Sequence, residues 1–310
     1  MIIILNSILG AVMDFQDGTP LGKCFECFFK DLMHFNHADR VITEENVLQE
    51  ANPEILKILD SMIESAVLPG SCIDGMEYVE AFMNEVRNGK RGLVLLEHYS
   101  NFDLPGFSFL LRTSGNASAK ELADKLVAIA GMKLSEENPM VSAWASAYQR
   151  IVIYPSRSLA SIKDPQKKAE EEIKSRKINM ASMHALDAVR KQGKVILVFP
   201  AGTRYRKNQP ETKRGVREID SYIRLTDVIM PVAINGNCLR ISDNDPKNMI
   251  NDEVWHDKLV FTAGPIIENK KFRKEIQEKL PEDLEDKKQP VVDKIMEILE
   301  ELHNKAETKR

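Results

Sequence analysis

From residue 92 onward the chain alternates short apolar runs with amphipathic stretches. The runs are Gly92 to Leu96, Arg150 to Tyr154, Lys194 to Phe199, Val228 to Ile234 and Lys258 to Ala263. Segments of this length, rich in Val, Ile and Leu and bounded by turn residues, predict strands. Between them, residues 104–112, 119–130, 138–148, 179–192 and 215–225 carry apolar positions at helical spacing. Strands alternating with helices predict a mixed α/β fold, with a largely parallel sheet flanked by helices. Gly131 closes one predicted helix and Gly193 another, the second directly before a strand. Residues 163–177 are charge-rich and read as a solvated loop or surface helix. The tail, about residues 284–304, repeats Leu284, Val291, Val292, Ile295, Met296, Ile298, Leu299 and Leu302 on one face and predicts a closing amphipathic helix.

The first ninety residues follow another pattern. Asn52 followed by Pro53 reads as a helix cap and first-turn proline, and Ile55, Leu56, Ile58, Leu59, Met62 and Ile63 continue at helical spacing until Pro69 and Gly70. A second helix is predicted after Asp74, through Val79, Phe82, Met83 and Val86, and stops at Gly89. The expected organisation is a helical region over residues 1–89 and an α/β domain over residues 90–310. The N-terminal run MIIILNSILGAVM is shorter than the roughly 20 residues needed to span a bilayer. Its first cation is Lys23, so it lacks the basic start of a secretory signal and reads as a core element.

Composition narrows the partners. With 310 residues, 43% hydrophobic and 29% charged, the chain is long enough for a sizeable core, and a net charge of −4 argues against nucleic acid as a partner. Four scattered cysteines do not make a disulfide framework and suit a reducing, cytoplasmic setting. Cys24 and Cys27 form a lone Cys-x-x-Cys among Phe25, Phe28 and Phe29, which reads as buried thiols in an aromatic helix. His34 and His37 stand without Cys or carboxylates at zinc spacing, and no metal site is expected.

Two stretches carry candidate chemistry. His98 and Asp103 (HYSNFD) follow the run Leu93 to Leu96, at the end of a predicted strand. A carboxylate that accepts the proton of one imidazole nitrogen fixes the tautomer and leaves the other nitrogen as a base. The spacing also fits simple helix capping, and His34 with Asp39 (HFNHAD) repeats it in the helical region. The second stretch, Phe199 to Lys207 (FPAGTRYRK), follows the run Val195 to Val198. Arg204, Arg206, Lys207, Lys213, Arg214 and Arg217 face a single interior carboxylate, Glu211, and Gly202 and Thr203 shape the turn before them. A planar guanidinium suits a phosphate, so a phosphorylated ligand is one reading and a solvated basic loop the other.

In combination these stretches resemble the glycerolipid acyltransferase superfamily, which includes glycerol-3-phosphate and 1-acylglycerol-3-phosphate acyltransferases. The first family block, His-x4-Asp, is matched by His98 and Asp103. The second, a strand ending in a basic residue, is matched by Ile151 to Tyr154 and Arg157. The third, Phe-Pro-Glu-Gly-Thr-Arg, is matched by Phe199, Pro200, Gly202, Thr203 and Arg204, and the fourth, an apolar strand containing proline, by Val228 to Ala233. The resemblance covers about residues 90–265. Two positions depart from it: Glu97 stands where the family often has Asn, and Ala201 where it usually has Glu. Soluble plastid glycerol-3-phosphate acyltransferases also lack that Glu, carry an Arg-x-Arg pair similar to Arg204 and Arg206, and have a helical N-terminal domain.

The resemblance implies transfer of a fatty acyl group from acyl-CoA or acyl carrier protein to a hydroxyl of glycerol 3-phosphate, the first step of phospholipid synthesis. It implies His98, oriented by Asp103, as base with no acyl-enzyme, and Arg204, Arg206 and Arg157 on the substrate phosphate. No cofactor is implied beyond the acyl thioester. The basic loop itself equally suits an acidic carrier protein or an anionic membrane face, and the expected location is cytoplasmic or peripheral to a membrane. The alternatives are a 1-acylglycerol-3-phosphate acyltransferase and a catalytically silent lipid- or phosphate-binding member of the same fold.

Overall fold

The computed structural model describes residues 14–39, 41–136, 139–246 and 248–308. The apolar N-terminal run lies outside the described residues. In chain order the strands are β1 (Thr19–Pro20), β2 (Leu48–Gln49), β3 (Cys72–Asp74), β4 (Gly92–Leu96), β5 (Leu126–Gly131) and β6 (Arg150–Ile153). They continue as β7 (Val195–Val198), β8 (Val228–Asn235), β9 (Leu239–Arg240), β10 (Glu253–Val254), β11 (Val260–Ala263) and β12 (Ile267–Glu268). The helices are α1 (Leu21–Cys24), α2 (Glu26–Phe35), α3 (Pro53–Ala66), α4 (Met76–Arg87), α5 (Asp103–Thr113), α6 (Ala117–Lys125) and α7 (Lys133–Glu136). The rest are α8 (Pro139–Ala145), α9 (Ser156–Ala160), α10 (Pro165–Lys191), α11 (Ile219–Leu225), α12 (Asn269–Gln277) and α13 (Gln289–Glu307). The fold is mixed α/β with helices flanking the sheets, as the alternating runs predict: β4–β7, β4–β8, β5–β6 and β3–β11 pair in parallel, while β8–β11 and the pairings of the two-residue strands are antiparallel.

The chain forms two compact units. The first comprises residues up to Glu26, Asp60–Lys125 and Val195 onward; the second comprises Cys27–Leu59 and Leu126–Lys194. In the first unit β4 is central. It runs parallel to β7, with Leu95 opposite Val198, and parallel to β8, with Leu95 opposite Pro231. All residues of β4, β7 and β8 are buried, which is why their sequences read as continuous apolar runs rather than alternating ones. β8 continues antiparallel to β11, and β11 pairs in parallel with β3. β10 lies between β1 and β9 in a small antiparallel sheet.

Helix α13 packs on β8 and turns Val291, Val292, Ile295 and Leu299 inward, all fully buried. Side chains of that size contribute about 1.5–3 kcal/mol each when removed from water. Its close seat depends on Gly215, where a Cβ would stand 2.5 Å from Val292 Cγ1.

In the second unit β5 and β6 run parallel, and β2 joins β6 antiparallel. Ile42, Val47, Met132, Val152, Tyr154 and Ile178 form its core. Helix α10 is fastened to the end of β6 by Ser182 Oγ, which donates to Val152 O at 2.7 Å, and by Asn179, which accepts from Tyr154 N at 2.8 Å. Asp164 caps α10 by accepting from the amides of Gln166 and Lys167, so the charge-rich stretch at 163–177 is largely helix.

The helix predicted over residues 119–130 is shorter than that: α6 ends at Lys125 and the next residues form β5. Leu126 to Ala130 continue the apolar positions with no Gly or Pro before Gly131, so periodicity shows no boundary where the backbone changes from helix to strand.

Candidate active site

Parallel pairing of β4 with β7 brings their C-terminal ends side by side, and the two sequence blocks follow directly from those ends. Ligand sites in α/β sheets gather at such ends. His98 stacks on Phe199, ring centroids 4.0 Å apart and planes 18° from parallel. The amide of Tyr205, between the two loop arginines, donates to His98 O at 2.8 Å. The structure thus joins two segments about a hundred residues apart in the chain.

Asp103 opens α5 and is buried. Its Oδ2 accepts from His98 Nδ1 at 2.8 Å, Tyr99 N at 2.6 Å and Ser100 N at 2.8 Å, while Oδ1 accepts from Ser100 Oγ at 3.0 Å. A carboxylate only accepts, so the shared proton belongs on His98 Nδ1 and the Nε2 lone pair is left for chemistry. The same carboxylate that fixes the tautomer also folds the loop between strand and helix, so orientation and helix initiation have one cause. His34 and Asp39 part ways: His34 lies at the end of α2, while Asp39 accepts from Gln49 Nε2 at 3.4 Å.

The turn after β7 is closed by Gly202 N donating to Phe199 O at 2.9 Å, and Gly202 has φ of +64°. Arg204 Nη1 forms an ion pair with Asp252, which is fully buried just before β10. Burial pushes the Asp252 carboxyl up, against the opposing pull of Arg204. Arg206 donates from Nη1 to Thr203 Oγ1 at 3.2 Å and to Arg204 O at 3.3 Å, and its backbone amide donates to Thr212 Oγ1 at 2.9 Å. Burial first, then the charge of Arg204, lowers the pKa of Arg206. Two guanidiniums beside one carboxylate leave a local excess of positive charge. Arg157 belongs to the second unit, exposed on α9.

The basic loop is more neutralised than its own sequence suggests. Arg204 pairs with Asp252, Lys213 with Glu300 at 3.3 Å and Arg217 with Asp286 at 3.6 Å, all carboxylates outside the segment. Counting only the interior Glu211 overstated the field, because partners supplied by the fold are invisible to a local count.

A pocket beside His98 is lined by Glu97, His98, Ala201, Tyr205 and Lys213, among others. Both departures from the family pattern therefore face one cavity. Glu97 is buried and accepts from Ile234 N at 2.8 Å and His303 Nδ1 at 3.0 Å through Oε2, and from Tyr99 Oη at 3.0 Å through Oε1. Sequence reasoning assigned no role to Glu97 or His303, and it missed Asp252. Only the unusual acid before His98 gave a signal.

The cysteines are thiols; Cys24 is buried, while Cys27 is exposed, contrary to the expectation for the pair. Among the described residues no group of three His, Cys, Asp or Glu side chains is placed to hold a metal ion. Among them, too, no helix is long and apolar enough to cross a membrane.

The structure is an α/β protein that brings an Asp-paired histidine and the Arg204–Arg206 loop to adjoining strand ends. Residues 72–235 match the family model described as Acyltransferase, more than half of the chain, and the protein belongs to that family, within the glycerolipid acyltransferase superfamily. The match includes β4, β7 and β8 with the loops that carry His98, Asp103, Arg204 and Arg206. No curated protein matches the chain in a direct comparison.

Proposed function

We propose that the protein transfers a fatty acyl group from acyl-CoA or acyl carrier protein to a hydroxyl of glycerol 3-phosphate, with His98 as the general base. The hydrogen bond from His98 Nδ1 to Asp103 carries this reading, because it leaves Nε2 as the proton acceptor beside the arginine loop. Nε2 takes the hydroxyl proton as that oxygen attacks the thioester carbonyl carbon. The C–S bond of the resulting tetrahedral centre then breaks, and the leaving thiolate recovers the proton from His98. The products are an ester and a thiol, with no acyl-enzyme. Arg206 and Arg204 hold the acceptor phosphate in this scheme, and Arg157 is the remaining candidate from sequence.

Glycerol 3-phosphate is favoured as acceptor by two features that resemble the soluble plastid glycerol-3-phosphate acyltransferases, the Arg204–Arg206 pair after a Gly-Thr turn and the absence of Glu at Ala201. The cytoplasmic face of an anionic membrane is the place where such a product is delivered. The test is thiol release from palmitoyl-CoA, and from palmitoyl carrier protein, with glycerol 3-phosphate as acceptor and 1-acylglycerol 3-phosphate as the rival. Release with glycerol 3-phosphate supports the reading. Release with the 1-acyl acceptor alone replaces the acceptor, and no release with any combination leaves a silent binding protein.

A further inference from the structure

The two neighbours of His98 both reach one imidazole on the C-terminal helix. Glu97 Oε2 accepts from His303 Nδ1 at 3.0 Å, and Tyr99 Oη lies 3.3 Å from the same nitrogen. Tyr99 Oη also donates to Glu97 Oε1 at 3.0 Å, so Glu97, Tyr99 and His303 close a ring of contacts. Glu97 is anchored on its other side by Ile234 N at 2.8 Å, and its own amide donates to Val232 O at 3.1 Å. A buried carboxylate is costly without a cationic or donor partner. Among the described residues, His303 is the one cation paired with Glu97.

Its helix is rigidly held. The apolar face of α13 is fully buried, and Asn235 Nδ2 of β8 donates to the His303 carbonyl at 3.1 Å and to Glu307 at 2.6 Å. The imidazole of His303 therefore comes from a fixed frame to the side chains of both neighbours of His98.

We infer that His303 is a positioning residue for His98: protonated, it clamps Glu97 and Tyr99 and thereby fixes the loop that presents the base. The inference rests on the reading of His98 as base. It assigns no contact with substrate to His303.

Charges around the imidazole fit this state. The groups facing it are Glu97 and Tyr99 from the segment after β4, Lys213 from the turn at Pro210–Lys213, and Glu307 on its own helix. Glu300, also on α13, is engaged by Lys213. The hydrogen bond to Glu97 raises the pKa of His303, with burial and Lys213 opposing. The clamp is accordingly strongest when His303 is charged and weakens as pH rises through its raised pKa.

The test compares wild type with His303→Leu, His303→Asn and His98→Ala in the full chain, using palmitoyl-CoA and glycerol 3-phosphate. Asn places an amide nitrogen near the position of Nδ1 without a titrating charge. His303→Leu is expected to lower kcat about tenfold or more with both KM values within about twofold, since small misplacements of a reacting group cost factors of this order. His303→Asn should restore most of kcat and abolish the alkaline decline that the clamp predicts for wild type. A second readout needs no turnover: the ring nitrogen resonances of His98 should move as His303 titrates in wild type and not in His303→Asn.

Full kcat in His303→Leu, or an alkaline decline and His98 resonances unchanged by His303→Asn, overturns the inference. Should His303→Leu fail to fold, the comparison of His303→Asn with wild type decides. An active His98→Ala overturns the base reading instead, and the resonance experiment still reports on the clamp.

Discussion

The backbone amide of Tyr205 donates to the carbonyl of His98 at 2.8 Å, joining the arginine loop to the histidine proposed as base. Side-chain stacking of His98 on Phe199 adds a second attachment to the same loop. His98 and the arginine loop are therefore held together, and a change in the loop is expected to reach the imidazole through the backbone.

His98→Ala should lower kcat for thiol release by about 10²- to 10⁴-fold, the usual worth of a positioned base. Asp103→Asn should lower it as well and also loosen the loop, because the buried carboxylate accepts from Tyr99, Ser100 and His98. Steady-state kinetics with circular dichroism separates the two: His98→Ala should melt near wild type and Asp103→Asn below it. Retained activity in His98→Ala rejects the base.

The two arginines should behave differently. Arg204→Ala leaves Asp252 buried without its cation and is expected to cost about 3–5 kcal/mol in denaturant unfolding. Arg206→Ala breaks hydrogen bonds to neutral acceptors only and should leave stability near wild type while, like loss of Arg204, raising the KM for glycerol 3-phosphate and not that for the acyl donor. Replacing Asp252 with Leu in an Arg204→Met background should recover stability without recovering acceptor affinity.

At Gly202 the demand is conformational. An added Cβ would meet nothing nearer than Val216 at 3.7 Å, yet φ is +64°. Gly202→Ala should cost about 1–2 kcal/mol, and Gly202→Asn less, since Asn adopts the left-handed region more readily. Equal losses for Ala and Asn, measured by thermal melting, would show that space and not φ governs the turn.

Stability should also carry the signature of His303. Its folded pKa is raised, so its contribution is fully present below the ordinary imidazole value of 6.5 and is lost as pH rises through the raised value. Melting temperature is expected to fall across that window in wild type, and the fall should be smaller in His303→Asn. Parallel curves for the two proteins contradict the linkage.

Local order explains what could be read in advance. β4, β7 and β8 announce themselves because strands buried on both faces need unbroken apolar runs, and Asn52 does cap α3 by accepting from Glu54 N at 3.0 Å. His98 and Asp103 were legible because cap and orienter lie within one turn of chain. Asp252 and His303 were not, because nothing near either residue in sequence marks what it meets in space. The α6–β5 junction escaped for a different reason: Lys125 and Leu126 are separated by a change of backbone shape alone, without a turn residue.

The contact between Glu97 and His303 spans 206 residues of chain. We expect this contact to form after the nearer pairings of β4 with β7 and β8, because a longer loop costs somewhat more entropy to close. The strand ends that carry the base and the arginines can pair well before α13 arrives. Refolding followed by secondary structure should then run ahead of the recovery of turnover, with the clamp on the base as the closing event of assembly.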